Sequence, residues 1–291
     1  FKGGRIVEPG MGVGHFFGLM PPAIMAKSRL TGVELDSLTG RLARQLYQGA
    51  DVRVTGFENL SMPDDHYDLF ISNVPFAKTR ITDNKERDLS GFSIHDYYFA
   101  KAVKKTRPGG LIVFITSRYT MDKLDSTLRE LLSARTELLG AIRLPNDAFK
   151  KNAGTEVTTD IVMLRKLRAG EAPTGPAWKQ TGDYSNDIGE AFTINEYFAA
   201  RPEMMLGQMR LVGRMYRDNE PTLEPDGRDL ADALKKAVER LPQNIYQSQS
   251  QQVAEPTLEQ TIPAPDYIKP NAYCLHDGMV CVREDTVLRP L

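Results

Sequence analysis

The chain of 291 residues holds two cysteines and one tryptophan, and none of its apolar runs approaches the eighteen or so residues that a membrane-crossing helix needs. Cys274 and Cys281 fit neither a metal knuckle nor a disulfide framework, so both read as ordinary thiols and no metal site is expected. A signal-peptide pattern is also lacking, which makes the cytoplasm the expected location and a membrane an unexpected partner. Charge of one sign is missing too. Lys and Arg number 37 against 38 Asp and Glu, a formal net charge of -1, so any nucleic-acid surface must be a local patch. What is present, 41% hydrophobic and 26% charged residues, is enough for one large domain of ordinary core with an appendage. The chain opens at Phe1 and runs almost at once into a strand, and it reads as part of a longer protein.

The organising stretch is Ile71-Ser72-Asn73-Val74-Pro75-Phe76, which follows the apolar run Tyr67 to Ile71. A strand ending in Asn-x-Pro-aromatic sets an amide, a turn with exposed carbonyls and a flat ring at the carboxyl edge of a sheet, where open α/β sheets bind ligands. A planar amine there could donate its two N–H bonds to the Asn73 side-chain oxygen and the Val74 carbonyl while Phe76 stacks on its ring. Pro75 biases Val74 toward extended backbone. A proline at 74 is expected to be tolerated if the Val74 N–H makes no essential bond.

Upstream, Gly4 to Glu8 reads as a strand, Pro9-Gly10-Met11-Gly12-Val13-Gly14 as a glycine-rich turn, and His15 to Met20 as a helix. The spacing is G-x-G-x-G, not the G-x-G-x-x-G of pyrophosphate binders. Glu8 would repel a pyrophosphate but suits a cationic or amine-bearing ligand. The second strand, Leu30 to Leu35, carries Glu34 about twenty residues past the glycines, placed to accept from ribose hydroxyls. Asp36 is expected to cap the helix Ser37 to Gln48. After the strand Val52 to Thr55, Phe57 is either an adenine-packing ring or simply core.

Ala77 to Phe92 is polar and charge-mixed and reads as a solvated loop, with Lys78 and Arg80 placed beside Asn73 to meet phosphates. A helix over Ile94 to Thr106, stopped by Pro108-Gly109-Gly110, has His95 and Asp96 at its start, where capping and packing are the expected roles. Leu111 to Thr116 reads as a strand buried on both faces, and Met121 to Ser133 as a helix. The strands Glu137 to Leu144 and Thr158 to Leu164 could form a closing hairpin. The segment joining them, with Phe149, Lys150 and Lys151, would then set Phe149 opposite Phe76 across a cleft. Gly170 to Gly189 reads as linker, Asn195 to Met209 as a docking turn, Asp229 to Leu241 as an amphipathic helix, and Pro242 to Pro270 as a tether. The expected division is residues 1–168 as the main domain, 169–241 as a docking extension, and 242–291 as tether and start of a following module.

Taken in order, Ile6-Val-Glu-Pro-Gly-Met-Gly-Val-Gly14, Gly32-Val-Glu-Leu-Asp36, Gly56-Phe57 and Asn73-Val-Pro-Phe76 resemble the N6-adenine DNA methyltransferases. Ala141 to Phe149 with Gly154 to Val162 resembles the methylation subunits of type I restriction systems and the methylase regions of large methylase-helicase proteins of phages and mobile elements. The resemblance implies a Rossmann-like class I fold, α/β, with a mostly parallel seven-stranded sheet, a terminal β-hairpin and an irregular C-terminal extension. It implies S-adenosylmethionine as cofactor, bordered by Glu8, Pro9, Gly10, Gly12 and Gly14, with Glu34 on the ribose, Phe57 on the adenine and Leu35 among the cofactor-binding residues. Where the family carries an acid this chain has Gly56, and Glu58 is the carboxylate left to hold the adenine amine. Asn73, Val74, Pro75 and Phe76 would hold the target amine and stack on the flipped base. Arg80, Lys78, Phe149, Lys150 and Lys151 would meet DNA, and further domains or subunits would be partners. The alternatives are a non-catalytic methylase-like binding domain of a helicase-containing protein, a protein-glutamine or RNA N-methyltransferase, and a nicotinamide-dependent dehydrogenase, the last disfavoured by Glu8 and the glycine spacing.

Overall fold

Five apolar segments pair side by side as parallel strands, since the connections between them, a dozen or more residues each, are long enough to cross over to the same end of the sheet. The computed structural model describes residues 1–77, 79–150, 156–213, 219–247, 262–269, 272–276, 279–284 and 286–290. In chain order the sheet-forming half runs β1 (Arg5–Pro9), α1 (His15–Gly18), α2 (Pro22–Met25), β2 (Arg29–Glu34), α3 (Ser37–Leu46), β3 (Asp51–Val54), β4 (Tyr67–Asn73), α4 (Ile94–Lys105), β5 (Thr106–Ser117), α5 (Tyr119–Asp122), α6 (Thr127–Ser133), β6 (Thr136–Leu144) and β7 (Thr159–Lys166). The strand order is β3-β2-β1-β4-β5-β7-β6, with β1 to β5 parallel and β7 antiparallel to both β5 and β6. The expected Rossmann-like sheet with a closing hairpin is therefore present. Its order reverses between β1 and β4, and the carboxyl ends of those two strands carry the glycine-rich turn and Asn73. The two candidate motifs are thus brought to one crevice by topology alone.

The core explains the strands. Val7, Phe70, Ile112, Phe114, Val162 and Leu164 are sealed from water in one cluster with the apolar face of α4. Burying a side chain such as Phe70 contributes about 2 to 3 kcal/mol. Asp36 caps α3 as expected, its carboxylate accepting from Thr39 N at 2.8 Å.

The helix expected over residues 121 to 133 is instead two. Asp125 Oδ1 accepts from the Thr127 N–H and hydroxyl, a local turn that competes with helical bonding and separates α5 from α6. The helix expected from His15 to Met20 ends at Gly18, and α2 restarts at Pro22, where a proline needs no N–H partner. Residues 77–92 are not merely solvated, since Asp83 and Leu89 are buried.

The extension continues as β8 (Thr181–Ser185), β9 (Ala191–Asn195), α7 (Glu196–Ala200), β10 (Gln208–Gly213), β11 (Glu220–Glu224) and α8 (Leu230–Glu239). The stretch read as linker thus holds Trp178, which is buried, and β8, which pairs with β9. The extension docks through a buried charge network. Arg143 donates to both oxygens of Asp160 at 2.8 Å and to Asp122 at 2.9 Å, and Asp122 in turn accepts from Asn195 N. Residues 1–248 form one compact unit. Residues 242–247, read as the start of a tether, are held to it by Tyr246 and Gln247. The second unit, residues 249–291, contains an antiparallel sheet of β12 (Ile262–Pro263), β13 (Tyr273–His276), β14 (Met279–Glu284) and β15 (Val287–Pro290) in the order β12-β15-β14-β13. Among the described residues no helix is long and apolar enough to cross a membrane.

Candidate active site

The glycine-rich turn takes a path that only glycine follows at low cost. Gly10, Gly12 and Gly14 have φ of 65°, 56° and 82°. A side chain at Gly14 would collide with the Tyr47 ring, while one at Gly12 would meet open space. Three bonds hold the loop from β2 and α3. Met11 N donates to Val33 O at 2.9 Å, Gly12 N donates to Glu34 Oε2 at 2.8 Å, and the Tyr47 hydroxyl donates to Gly14 O at 2.6 Å.

Glu34 therefore has two neighbours of its own. Its other oxygen accepts from Asp36 N at 2.8 Å, so the carboxylate is fixed at the strand end with lone pairs left for further donors. This arrangement also bears on ligand class. The Gly12 N–H that a pyrophosphate would require is already given to a carboxylate, which opposes dinucleotide binding as the glycine spacing does. Leu35, 74% exposed, is an apolar side chain standing open beside Glu34. Glu58 lies over Gly56, filling the space a side chain there would need.

Glu8 and Phe57 sit deeper than the sequence suggested. Glu8 is 2% exposed, feels the backbone N–H groups of Phe16 and Phe17, and leaves Oε2 without a partner. Burial pushes its carboxyl up to about 8 against the pull of those two N–H groups. Pro9 is buried at the end of β1, and its carbonyl accepts from Ser72 Oγ at 2.6 Å, which ties the two motif-bearing strands together. Phe57 belongs to the core: it is 2% exposed and packs on Phe70, Tyr97 and Tyr98.

Asn73 is exposed at the last position of β4, at the carboxyl end of its strand, and is not among the residues lining the cleft beside Phe76. Val74 is buried and its N–H donates to Ile115 O at 3.0 Å, extending the β4–β5 ladder past the strand end. The condition for a harmless proline at 74 is therefore not met. Phe76 is 41% exposed and lines a cleft of about 930 Å³ with Arg80, His95, Asp96, Tyr119 and Lys123.

Phe149 is not among the residues lining this cleft; it is half-buried and packs against the main core, so the expected pairing with Phe76 is not formed. Arg80 donates to Gly91 O, and Lys150 is an exposed ion pair with Glu156. Lys78 and Lys151 lie outside the described residues.

The sequence reading missed Tyr119, Ser117 and Lys123. A signal existed, since Ser117 ends β5, the neighbour of the Asn73 strand, and residues just beyond such strand ends face the crevice. His95 and Asp96 were given to capping, yet both line the cleft. Asp96 pairs with Lys123 at 2.5 Å. Burial lowers the His95 pKa, opposed by Asp96 and helped by Lys123.

The loop that carries Phe76 is anchored from below. Asp83 accepts from the Tyr97 hydroxyl at 2.6 Å and from Lys101 Nζ at 3.2 Å, and Lys101 also donates to Phe57 O at 2.8 Å. Burial alone would raise the Asp83 carboxyl, but Tyr97, the Glu86 N–H and Lys101 bring it down to about 2.

No family model matches the chain. Over 200 residues it is 30% identical to the Defense against restriction protein B of Escherichia phage P1, a match covering 67% of this chain and 9% of that protein. The chain thus spans less than a tenth of the length of this curated relative. Among solved structures it is similar to a Vibrio vulnificus protein described as a modification subunit of a type I restriction enzyme, with 14% identity and a TM-score of 0.46 over 66% of this chain and 54% of that one. It is also similar to a Listeria monocytogenes protein described as a class I S-adenosylmethionine-dependent methyltransferase, with 18% identity and a TM-score of 0.50 over 61% of this chain and 58% of that one. With the strand order and the glycine-rich turn at its switch point, this likeness establishes that the chain has the class I methyltransferase fold.

Proposed function

We propose that the chain transfers a methyl group from S-adenosylmethionine to the N6 nitrogen of adenine in DNA. The observation that carries the reading is the contact of the two motifs. Ser72 Oγ binds Pro9 O at 2.6 Å, and a carbon built on Gly10 would stand 3.6 Å from Pro75 Cδ. A methyl donor on the glycine loop and an amine on Asn73 would therefore be neighbours.

The residues fit the cofactor. Gly12 opens onto free space, Glu34 keeps acceptor capacity for a ribose diol, Leu35 offers an apolar face, and Glu58 offers an acceptor to an adenine amine. When bound, S-adenosylmethionine supplies an electrophilic methyl on a positively charged sulfur.

The chain's part is to ready the nucleophile. An exocyclic amine is poor because its lone pair is delocalised into the ring. The Asn73 side-chain oxygen and the Val74 carbonyl would accept its two protons in tetrahedral directions and so localise the pair on nitrogen. Phe76 would stack on the base, which must leave the duplex at a cost of a few kcal/mol. The cleft beside Phe76 has room for it. The phage relative's name, which concerns restriction, supports DNA as the substrate, and its greater length supports action within a larger assembly.

The test is methyl transfer to unmethylated DNA, read as N6-methyladenine by mass spectrometry of digested nucleosides. Asn73→Ala should lower the rate at least about a hundred-fold, on the order of 3 kcal/mol in the transition state, with cofactor affinity within a few-fold. An unchanged rate would remove Asn73 from the chemistry. Methyl groups found only on RNA or on protein glutamine would replace the substrate.

A further inference from the structure

Tyr98 sits in the first turns of α4, is 7% exposed, and has two unlike ends. Its ring is core, tilted on Phe57 at 5.1 Å and edge-on to Tyr97 at 6.3 Å. Its hydroxyl is not tied down: among the described residues no protein group hydrogen-bonds it. A tyrosine hydroxyl with no protein partner, set against a glycine loop, keeps its lone pairs for whatever binds there.

That place is defined by two distances. A carbon built on Gly10 would stand 3.3 Å from Tyr98 Oη and 3.6 Å from Pro75 Cδ. The hydroxyl therefore stands at the seam where the glycine loop meets the Asn73–Phe76 turn. Glu34 and Glu58 both act on it electrostatically, and burial, the larger cause, joins them in raising its pKa. The phenol is neutral at any pH the protein would meet. Its oxygen offers lone pairs in a region made negative by two carboxylates, a setting that favours a positive centre over a neutral one.

We propose that the Tyr98 hydroxyl is a cofactor-contacting group that recognises the sulfonium centre of S-adenosylmethionine, its oxygen accepting from C–H bonds polarised by the positive sulfur. The inference rests on the methyltransferase reading above. It gives Tyr98 a selective role, that of holding the charged methyl donor more tightly than the neutral thioether left after transfer.

Tyr98→Phe keeps the ring and removes only the hydroxyl. Calorimetric titration of the wild-type chain and the variant with S-adenosylmethionine and with S-adenosylhomocysteine measures the effect without any turnover. The expected result is a loss of about three- to five-fold for S-adenosylmethionine, with S-adenosylhomocysteine within two-fold. Equal weakening of both ligands would mean a loosened site, and no change in either would mean an idle hydroxyl; each overturns the inference and leaves the methyltransferase reading standing. If the wild-type chain binds neither ligand, that reading falls and the inference falls with it. The ratio of the two affinities within one protein preparation is its own control for partial unfolding.

Discussion

Glu8 shows how one residue can carry more than the sequence assigns to it. Its carboxyl, raised by burial from 4.5 to about 8, binds a proton in the folded chain that it releases in the unfolded chain over the pH range between those values. The unfolded state therefore holds fewer protons, and the free protein should lose stability as pH rises from about 4.5 to 8. Glu8→Gln should abolish that slope. Urea denaturation at several pH values should show the difference between the two proteins changing by a few kcal/mol across the window and levelling above it; parallel curves would mean that Glu8 is not protonated. The next prediction concerns Glu34. Because it holds both Gly12 N and Asp36 N, Glu34→Ala should loosen the loop as well as remove a ribose acceptor. S-adenosylmethionine binding should weaken by about 1.5 to 3 kcal/mol, measured by calorimetry. That Glu34 stands at the glycine loop was legible because its distance from the glycines is a spacing rule. The depth of Phe57 and Glu8 was not, since depth depends on what other segments pack above a residue.

At the scale of elements, the seven strands and the closing hairpin were readable because apolar runs alternate with glycine-rich turns and helix stops. The parts that were misread share one cause. Asp83 among the charges of residues 77–92 looks like a solvated residue in sequence, and only Tyr97 and Lys101, on a helix a dozen residues later, make it a buried anchor. Trp178 and β8 looked like linker because their partners, β9 and the Arg143 network, lie in other segments. The Val74 N–H is the sharpest instance. A proline at 74 would remove its bond to Ile115 O, leave that carbonyl unpaired, and strain the ladder next to Asn73. Val74→Pro should therefore cost about 1 to 3 kcal/mol of stability, seen as a lower urea midpoint, and should lower methyl transfer rather than preserve it. An unaltered midpoint would show that the strand end accommodates the change, and the tolerance expected from sequence would be restored.

Across the first compact unit, the two edges of the sheet have different work. The carboxyl edge holds the crevice, with Gly10, Glu34, Asn73 and Phe76. At the opposite edge the segment after α8 returns as a strap: the Tyr246 hydroxyl lies 3.1 Å from Asp68 Oδ1 and 3.2 Å from Gly3 O and can donate to one at a time. Its ring meets Phe1 at 4.7 Å between centroids and lies under Arg107, whose guanidinium also donates to Gln247 O at 2.9 Å. Asp68 gathers Arg5 N at 2.8 Å and Arg107 Nε at 2.6 Å into the same cluster. The strap thus joins β1, the start of β4 and β5, none of it at the carboxyl ends that form the crevice. Tyr246→Phe should cost about 1 kcal/mol, the worth of one hydrogen bond, and Tyr246→Ala about 2 kcal/mol, because the half-buried ring is lost as well. Both variants should bind S-adenosylmethionine within two-fold of wild type when measured well below their unfolding transitions. Urea denaturation and calorimetric titration on the same samples separate the two effects. Affinity that falls in step with stability would mean that the strap reaches through β1 to the glycine loop, and that the two edges are one mechanical element rather than two.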